Sequence, residues 1–206
     1  MIEFIIGSSL AAAAGLNAWM PLFLLGLADR LLAAFELPPG WSWLSSDLAL
    51  WIIGALLVLE IVADKVPALD SVNDVIQSII RPAAGGVAFG AGAGSQTIAV
   101  DDPGSFFTGD TWVPVVVGVL IALVVHVLKA TARLAANVTT GGLAAPVLST
   151  VEDGTSFALA AAAIVVPVVA GILLLGLIVV AVLVLRRRRQ HRKSRHAPQA
   201  GTGVQT

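Results

Sequence analysis

The longest uncharged stretch of the chain, Phe157–Leu185, reads FALAAAAIVVPVVAGILLLGLIVVAVLVL and runs directly into Arg186-Arg187-Arg188-Arg189. It is longer than the roughly 20 residues that an α-helix needs to cross the hydrocarbon core of a bilayer. Arginines after such a run are typical of its cytoplasmic end. The stretch therefore predicts a membrane helix that ends in the cytoplasm.

The composition of the whole chain agrees with this interpretation. The 206 residues are 57% hydrophobic and 12% charged, with a mean hydropathy of +0.93. Soluble domains are about 45–50% apolar and roughly 25% charged. Because the apolar residues fall in long runs, we predict an all-α polytopic membrane bundle. The absence of cysteine excludes disulfides and thiolate metal sites.

Further apolar runs define the other predicted membrane segments. The strong runs are Ile2–Ala28, Leu48–Ala63 and Trp112–Ala136, and the weaker stretches are 71–99 and 137–151. Pro21 is expected to kink the first run. The weaker stretches either cross the membrane or enter and leave it on one side. We therefore predict about six membrane segments in an integral membrane domain over residues 1–185.

The positions of Lys and Arg predict the orientation. If all six segments cross, the outer loops are residues 28–47, 99–111 and 152–156, and eleven of the twelve basic residues lie inside. Both termini are then cytoplasmic. Four tryptophans fall near the predicted outer ends of the segments, as in an aromatic belt. They are Trp41, Trp43, Trp51 and Trp112.

Residues 186–206 form a basic tail that carries seven Lys/Arg and no acidic residue. We expect this tail to be cytoplasmic and disordered. Its four arginines, Arg186, Arg187, Arg188 and Arg189, either bind anionic lipid headgroups or act only as a topology signal. The remaining residues are net acidic, which gives no reason to expect nucleic-acid binding.

A shift of 64 residues aligns Lys65 with Lys129 and Pro82 with Pro146. This register predicts an internal repeat, with copies over residues 48–99 and 112–163. Duplicated segments are common in transporters, but a duplication can also serve only to build a larger bundle.

Three glycines, Gly86, Gly90 and Gly94, are spaced four residues apart and share one helix face. Small residues at this spacing let a neighbouring helix approach closely. The neighbour can belong to the same chain or to a second copy, so a homo-oligomer is one expectation.

Ionisable and amide side chains within or beside the segments form a candidate polar core. They are Glu60, Asp64, Lys65, Asp70, Asn73, Asp74, Arg81, His126, Lys129, Glu152 and Asp153. An ionisable residue inside a span costs roughly 2.5–3.5 kcal/mol on insertion scales, and by default it indicates function.

Several interpretations of this candidate core stay open. The acids could bind a cation through oxygen ligands or relay protons, or Glu60 could pair with Lys129 and lock the bundle. His126 could serve packing or respond to protons. Glu152 and Asp153 could lie in an outer loop or cap the last helix.

Several sequence motifs resemble a known family. They include AGLNAWMPL at Ala14–Leu22 and EIVADKVP at Glu60–Pro67, followed by Arg81-Pro82 and a related second half. Over roughly residues 8–175 the chain resembles the domain of unknown function 4126 family. The resemblance implies a bacterial integral membrane protein of the cytoplasmic membrane, and it carries no catalytic residues.

Two functional hypotheses follow. The first is a small transporter or channel for a proton, a cation or a small solute. The second is a non-transporting structural or accessory membrane protein that acts through helix packing. No phosphate-binding loop, zinc-protease motif or serine triad is present, so we expect neither enzymatic activity nor a cofactor.

Overall fold

The structure is a computed structural model that describes residues 1–97 and 112–195, and within them it is all α-helical. Seven α-helices account for most of these residues, and no strand occurs among them. The helices are α1 Ile2–Leu16, α2 Trp19–Leu31, α3 Asp47–Ala63, α4 Pro67–Ala93, α5 Trp112–Thr140, α6 Ala145–Val165 and α7 Pro167–Arg195. A 3-10 helix, Ser42–Ser45, precedes α3. The predicted all-α fold class is thus confirmed.

Helices α1 and α2 form a hairpin that leaves and returns to the same end of the bundle. Ile6, near the start of α1, faces Gly92 of α4, and Pro38, which follows α2, faces Gly94 just beyond α4. The start of α1 and the chain after α2 therefore both contact the C-terminal end of α4. We call this the N-terminal end of the bundle. The tip of the hairpin, at Asn17, lies inside the bundle.

This hairpin corrects two predictions for the run Ile2–Ala28. The run does not cross the bundle once, because α1 and α2 are roughly 22 and 20 Å long and point in opposite directions. The break comes at Asn17, whose backbone is extended (φ −142°, ψ 118°), and not at Pro21, which lies in the first turn of α2. If the bundle spans a membrane, the N-terminus and residues 28–47 lie on the same side of it. The predicted combination of a cytoplasmic N-terminus with an outer loop at residues 28–47 is then not possible.

Helix α4 is continuous from Pro67 to Ala93, with Pro82 in its interior. The weak segment predicted over residues 71–99 is therefore not separate from the residues before it, because the helix already begins at Pro67. Residues 137–151 are likewise not a segment of their own, because they contain the end of α5, a turn, and the start of α6. Gly141 and Gly142 form this turn with positive φ angles of 63° and 89°, which glycine adopts without strain.

The predicted 64-residue register finds no support in the local structure. Lys65 lies in the turn after α3, whereas Lys129 lies within α5. Pro82 is inside α4, whereas Pro146 is in the first turn of α6. Equivalent positions of a structural repeat would occupy equivalent places in their helices, and these pairs do not.

Glycines bring α1, α4 and α5 into close contact. A Cβ atom at Gly85 would lie 2.9 Å from the carbonyl oxygen of Gly118, and one at Gly7 would lie 3.0 Å from the ring of Phe89. Of the predicted glycine face, Gly86 lies against Val115 and Val119 of α5. Gly90 lies against Trp41 and Gly94 against Pro38, so the same chain covers this face and no second copy is needed there.

Among the residues that the structure describes, two helices, α5 and α6, are long and apolar enough to cross a membrane. In the most apolar part of each helix, 28% and 39% of the residues are buried. Helix α1 and the part of α7 over Pro167–Leu183 are apolar but shorter. A membrane bundle is consistent with these helices.

The chain divides into two units, which we describe separately. The first, Met1–Leu174, contains α1 to α6 and the start of α7. The second begins at Leu175, and its described part is a single helix that continues to Arg195. The predicted disordered tail is thus helical over 186–195, and residues 196–206 lie outside the described residues, as do 98–111.

Candidate functional site: a buried charge cluster at the tip of the helical hairpin

The hairpin tip leaves backbone groups of two helix ends without helical partners. Asn17 satisfies two of them, because its Oδ1 accepts hydrogen bonds from the amide of Trp19 (3.2 Å) and from that of Met20 (3.0 Å). Its Nδ2 donates to Asp153 of α6 at 3.0 Å. Asn17 therefore fixes the turn and joins it to α6.

Two charged side chains bind the remaining groups at the tip. Lys129 Nζ donates to the carbonyl oxygen of Leu16 at 2.7 Å, at the C-terminal end of α1. The Glu60 carboxylate accepts from the amide of Ala18 at 3.0 and 3.3 Å, at the start of α2. Each charge has the sign that the helix dipole favours at that end. The tip is thus stabilised by a cation on one side and an anion on the other.

Asp64, which caps α3, lies at the centre of the site and is fully buried. Its Oδ2 accepts from Arg81 (3.2 Å), Lys129 (3.0 Å) and Arg133 (3.2 Å). Its Oδ1 accepts from Asn73 at 2.6 Å. One carboxylate therefore joins side chains from α4 and α5.

Arg81 connects Asp64 with Glu60. Its Nη2 and Nε donate to Glu60 Oε1 at 2.9 and 3.2 Å, and its Nη1 lies 3.7 Å from an oxygen of Asp74. Nη1 also lies 3.2 Å from Nδ1 of His126. An arginine can only donate, so this Nδ1 is an acceptor and His126 carries its proton on Nε2.

Glu152 and Asp153 lie in the interior of α6, which corrects the prediction of an outer loop at 152–156. Glu152 accepts from Arg133 Nε at 2.9 Å and lies 3.2 Å from Lys129 Nζ. Asp153 accepts from Lys65 at 3.0 Å. Basic residues of other elements therefore compensate the charges of both acids inside α6.

We call this assembly the charge cluster, and it contains five carboxylates, four basic side chains and one histidine. They are Glu60, Asp64, Asp74, Glu152, Asp153, Lys65, Arg81, Lys129, Arg133 and His126. Every one of the basic side chains lies within 4 Å of a carboxylate. Across 1–97 and 112–195, no group of three or more acidic or histidine ligands is arranged to hold a metal ion.

Most of the predicted polar core comes together here. Glu60 and Lys129, which the sequence suggested as a pair, belong to the same network, with Arg81 and Asp64 as the intervening groups. The side chains of Asp70 and of Arg187–Arg189 lie outside what the structure describes, and Arg186 is exposed.

Two site residues were not among the sequence candidates. Arg133 follows Lys129 by one helical turn and His126 by two, a spacing that puts all three on one face of α5. Asn17 lies in the quoted motif AGLNAWMPL, where an amide within an apolar run was the available signal.

A comparison with known proteins gives one positive result. A search of the curated proteins found no match, and neither did a search of the solved structures. A family model described as "Domain of unknown function (DUF4126)" matches residues 4–187, which is most of the chain and includes the whole charge cluster. The chain therefore belongs to the DUF4126 family.

Proposed function

We propose that this protein is a small transporter or channel for protons or monovalent cations in the bacterial cytoplasmic membrane. The observation that carries the proposal is the helical hairpin whose broken tip meets Lys129 and Glu60. Broken helices with charged or polar partners at their ends form the ion and substrate sites of many transporters. Non-helical backbone at the depth of the hydrocarbon core is tolerated where it is buried in protein or lines a water-filled cavity.

The surroundings of Lys129 support a cation as the transported species. Its ammonium group has three oxygen neighbours, which belong to the Leu16 carbonyl (2.7 Å), Asp64 (3.0 Å) and Glu152 (3.2 Å). Carbonyl and carboxylate oxygens are the ligands that hard cations prefer. In this proposal Lys129 is a tethered cation, and a proton or a free cation passes when its ammonium group moves away from these oxygens.

The exposed apolar surface supports the membrane location. Leu120 and Val124 of α5 are 56% and 60% exposed, and Val75 and Ile79 of α4 are 71% and 76% exposed. Large contiguous apolar surfaces are rare on soluble monomers. In a lipid bilayer these apolar side chains would contact hydrocarbon chains instead of water.

The charge rule gives the orientation that goes with this proposal. The chain near the N-terminal end of the bundle carries Asp29, Glu36 and Asp47 with one basic residue, Arg30. Residues 186–206 carry seven Lys/Arg. The N-terminal end then faces away from the cytoplasm, and the tail faces the cytoplasm. We propose this orientation as an alternative to two cytoplasmic termini, and it combines the charge rule with the hairpin.

The test is ion flux into liposomes that contain the purified protein, with H⁺, Na⁺ and K⁺ measured separately under an imposed membrane potential. Glu60→Gln keeps the size of the side chain and an oxygen for the Ala18 amide, but removes the charge beside Arg81. We expect flux in the wild type, none in Glu60→Gln, and wild-type flux in the matched control Glu36→Gln, because Glu36 is exposed.

A second function is favoured by the pairing of every basic side chain of the cluster with a carboxylate. A buried network in which each cation has a carboxylate can lock six helices together and do nothing else. Under that alternative, no ion crosses with the wild-type protein, and Glu60→Gln only lowers the thermal stability. Absence of flux for all three ions would therefore overturn the transport proposal and leave the structural one.

A further inference from the structure

We propose that the groove between α2 and α3 binds one zwitterionic phospholipid with a primary ammonium headgroup. A cavity of about 570 Å³ lies along these two helices. This is within the usual range of about 300–1,000 Å³ for small-molecule sites. None of its lining residues belongs to the charge cluster, so the site is separate from the proposed transport path.

The wall of the groove is apolar and open to the side. Leu27 of α2 and Val58 of α3 line it, and Val58 is 62% exposed. Gly54 lets α2 and α3 approach closely at the floor of the groove, since a Cβ atom there would lie only 3.2 Å from the ring of Phe23. Such a surface suits the hydrocarbon chain of a lipid.

The length of the groove matches one leaflet of a bilayer. From Asp47 at the start of α3 to Val58, the helix rises roughly 16 Å at 1.5 Å per residue. Half of a ~30 Å hydrocarbon core is about 15 Å. Trp51, one turn into α3, lines the groove and is 80% exposed. A tryptophan at this level is typical of the membrane–water interface.

Opposite charges lie together at the mouth of the groove. Arg30, in the last turn of α2, forms an ion pair with Asp47, and their side chains are 44% and 79% exposed. An exposed pair of this kind contributes at most about 1 kcal/mol, so a ligand can separate it at little cost. A lipid phosphate would accept from the Arg30 guanidinium, and a lipid ammonium would donate to the Asp47 carboxylate.

This arrangement predicts selectivity between headgroups. Phosphatidylethanolamine carries both the phosphate and the ammonium group, so it matches both side chains. Phosphatidylglycerol offers the phosphate and two hydroxyl groups but no cation, so Asp47 would face a headgroup with a net negative charge. The inference rests on the proposed membrane location and does not depend on transport.

The experiment is native mass spectrometry of the protein with equal amounts of phosphatidylethanolamine and phosphatidylglycerol. We expect one retained lipid per chain and a roughly two- to fivefold preference for phosphatidylethanolamine, the range set by one exposed charge contact. Asp47→Asn should abolish that preference or reverse it. Equal retention of both lipids by the wild type would overturn the headgroup assignment.

A second variant tests the position of the acyl chain. Ala55→Leu fills the exposed wall of the groove and should reduce the retained lipid, whereas Ala158→Leu, at an exposed position on α6, should not. Thermal unfolding of both variants checks that they are folded. Unchanged lipid retention in Ala55→Leu, or a change in oligomeric state instead, would show that lipid does not occupy the groove.

Failure of this inference is distinguishable from failure of the proposed function. If the protein binds phosphatidylethanolamine selectively but moves no ion, the lipid site is supported and the transport proposal is wrong. If the protein moves ions but retains both lipids equally, transport is supported and the headgroup assignment is wrong.

Discussion

Replacing Asp64 with Asn removes the negative charge at the centre of the charge cluster. The carboxylate is fully buried, and one of its oxygens accepts from Arg81, Lys129 and Arg133 at 3.0–3.2 Å. The new amide keeps the shape of the side chain. Whichever way it turns, three buried cations lose a shared anion.

The expected cost follows from what remains. Breaking a buried ion pair by removing one partner costs about 3–5 kcal/mol. Arg81 retains Glu60, and both Lys129 and Arg133 retain Glu152, so the lower end of this range applies. A loss of about 3 kcal/mol corresponds to a decrease in Tm of roughly 6–12 °C for a chain of this size.

The assay is thermal unfolding of the purified protein in one detergent, with Asp47→Asn as the matched control. Asp47 has a side chain that is 79% exposed and pairs only with Arg30 at the surface, so its substitution should change the free energy of unfolding by no more than about 1 kcal/mol. If Asp64→Asn unfolds at the same temperature as Asp47→Asn, the cluster is not a buried ion-pair network and the reasoning fails.

A double variant separates loss of charge from loss of shape. Arg133→Met in the Asp64→Asn background removes one of the three cations that lost Asp64 as a partner, while Glu152 still has Lys129 as a partner. The double variant should be less destabilised than the sum of the two single variants, by about 1 kcal/mol or more. Strict additivity would mean that Asp64 and Arg133 do not interact.

Three further predictions concern the hairpin and the helix contacts. Gly85→Ala should lower the Tm because a methyl group there meets α5, whereas Gly154→Ala, with no atom within 4 Å of its Cβ position, should leave it unchanged or raise it slightly. Asn17→Ala should cost about 1–2 kcal/mol of unfolding free energy, since two amides at the start of α2 lose their acceptor. Single cysteines at Ile2 and Gly40 should react with an impermeant reagent from the same side of the membrane. Labelling from opposite sides would contradict the hairpin.

The sequence predicted the fold class and the contents of the site better than their arrangement. A charged side chain inside an apolar bundle is unfavourable unless an opposite charge lies close to it. This argument alone predicted that Glu60, Asp64, Arg81 and Lys129 belong to one polar core. It needs only composition and helix periodicity, and it holds whichever way the helices run.

The hairpin was beyond this kind of argument. A run of 27 mostly apolar residues reads the same whether it forms one helix or two short helices packed side by side. Asn17 and Pro21 both interrupt it, and only the contacts of Asn17 with Asp153 and with the start of α2 decide that the break comes there. Asp153 lies 136 residues from Asn17 in the sequence, so no local pattern reveals this contact.

The misplacement of Glu152 and Asp153 has a similar cause. Two adjacent acids followed by glycine are typical of a loop, and the cost of burying them argues against a helix interior. Arg133 and Lys65 remove that cost, but both belong to other elements. The sequence around Glu152 and Asp153 therefore shows the two acids but not the basic residues that pair with them.

The hairpin and the charge cluster each require the other. Without Lys129 and Glu60, the carbonyl of Leu16 and the amide of Ala18 would be buried without partners, and each would cost roughly 1–3 kcal/mol. Without the open helix ends, these two charges would lose their backbone hydrogen-bond partners. A structural lock would need only mutual pairing among the side chains. The participation of broken backbone is the feature that a lock does not require, and it is why the flux experiment at Glu60 is the decisive one.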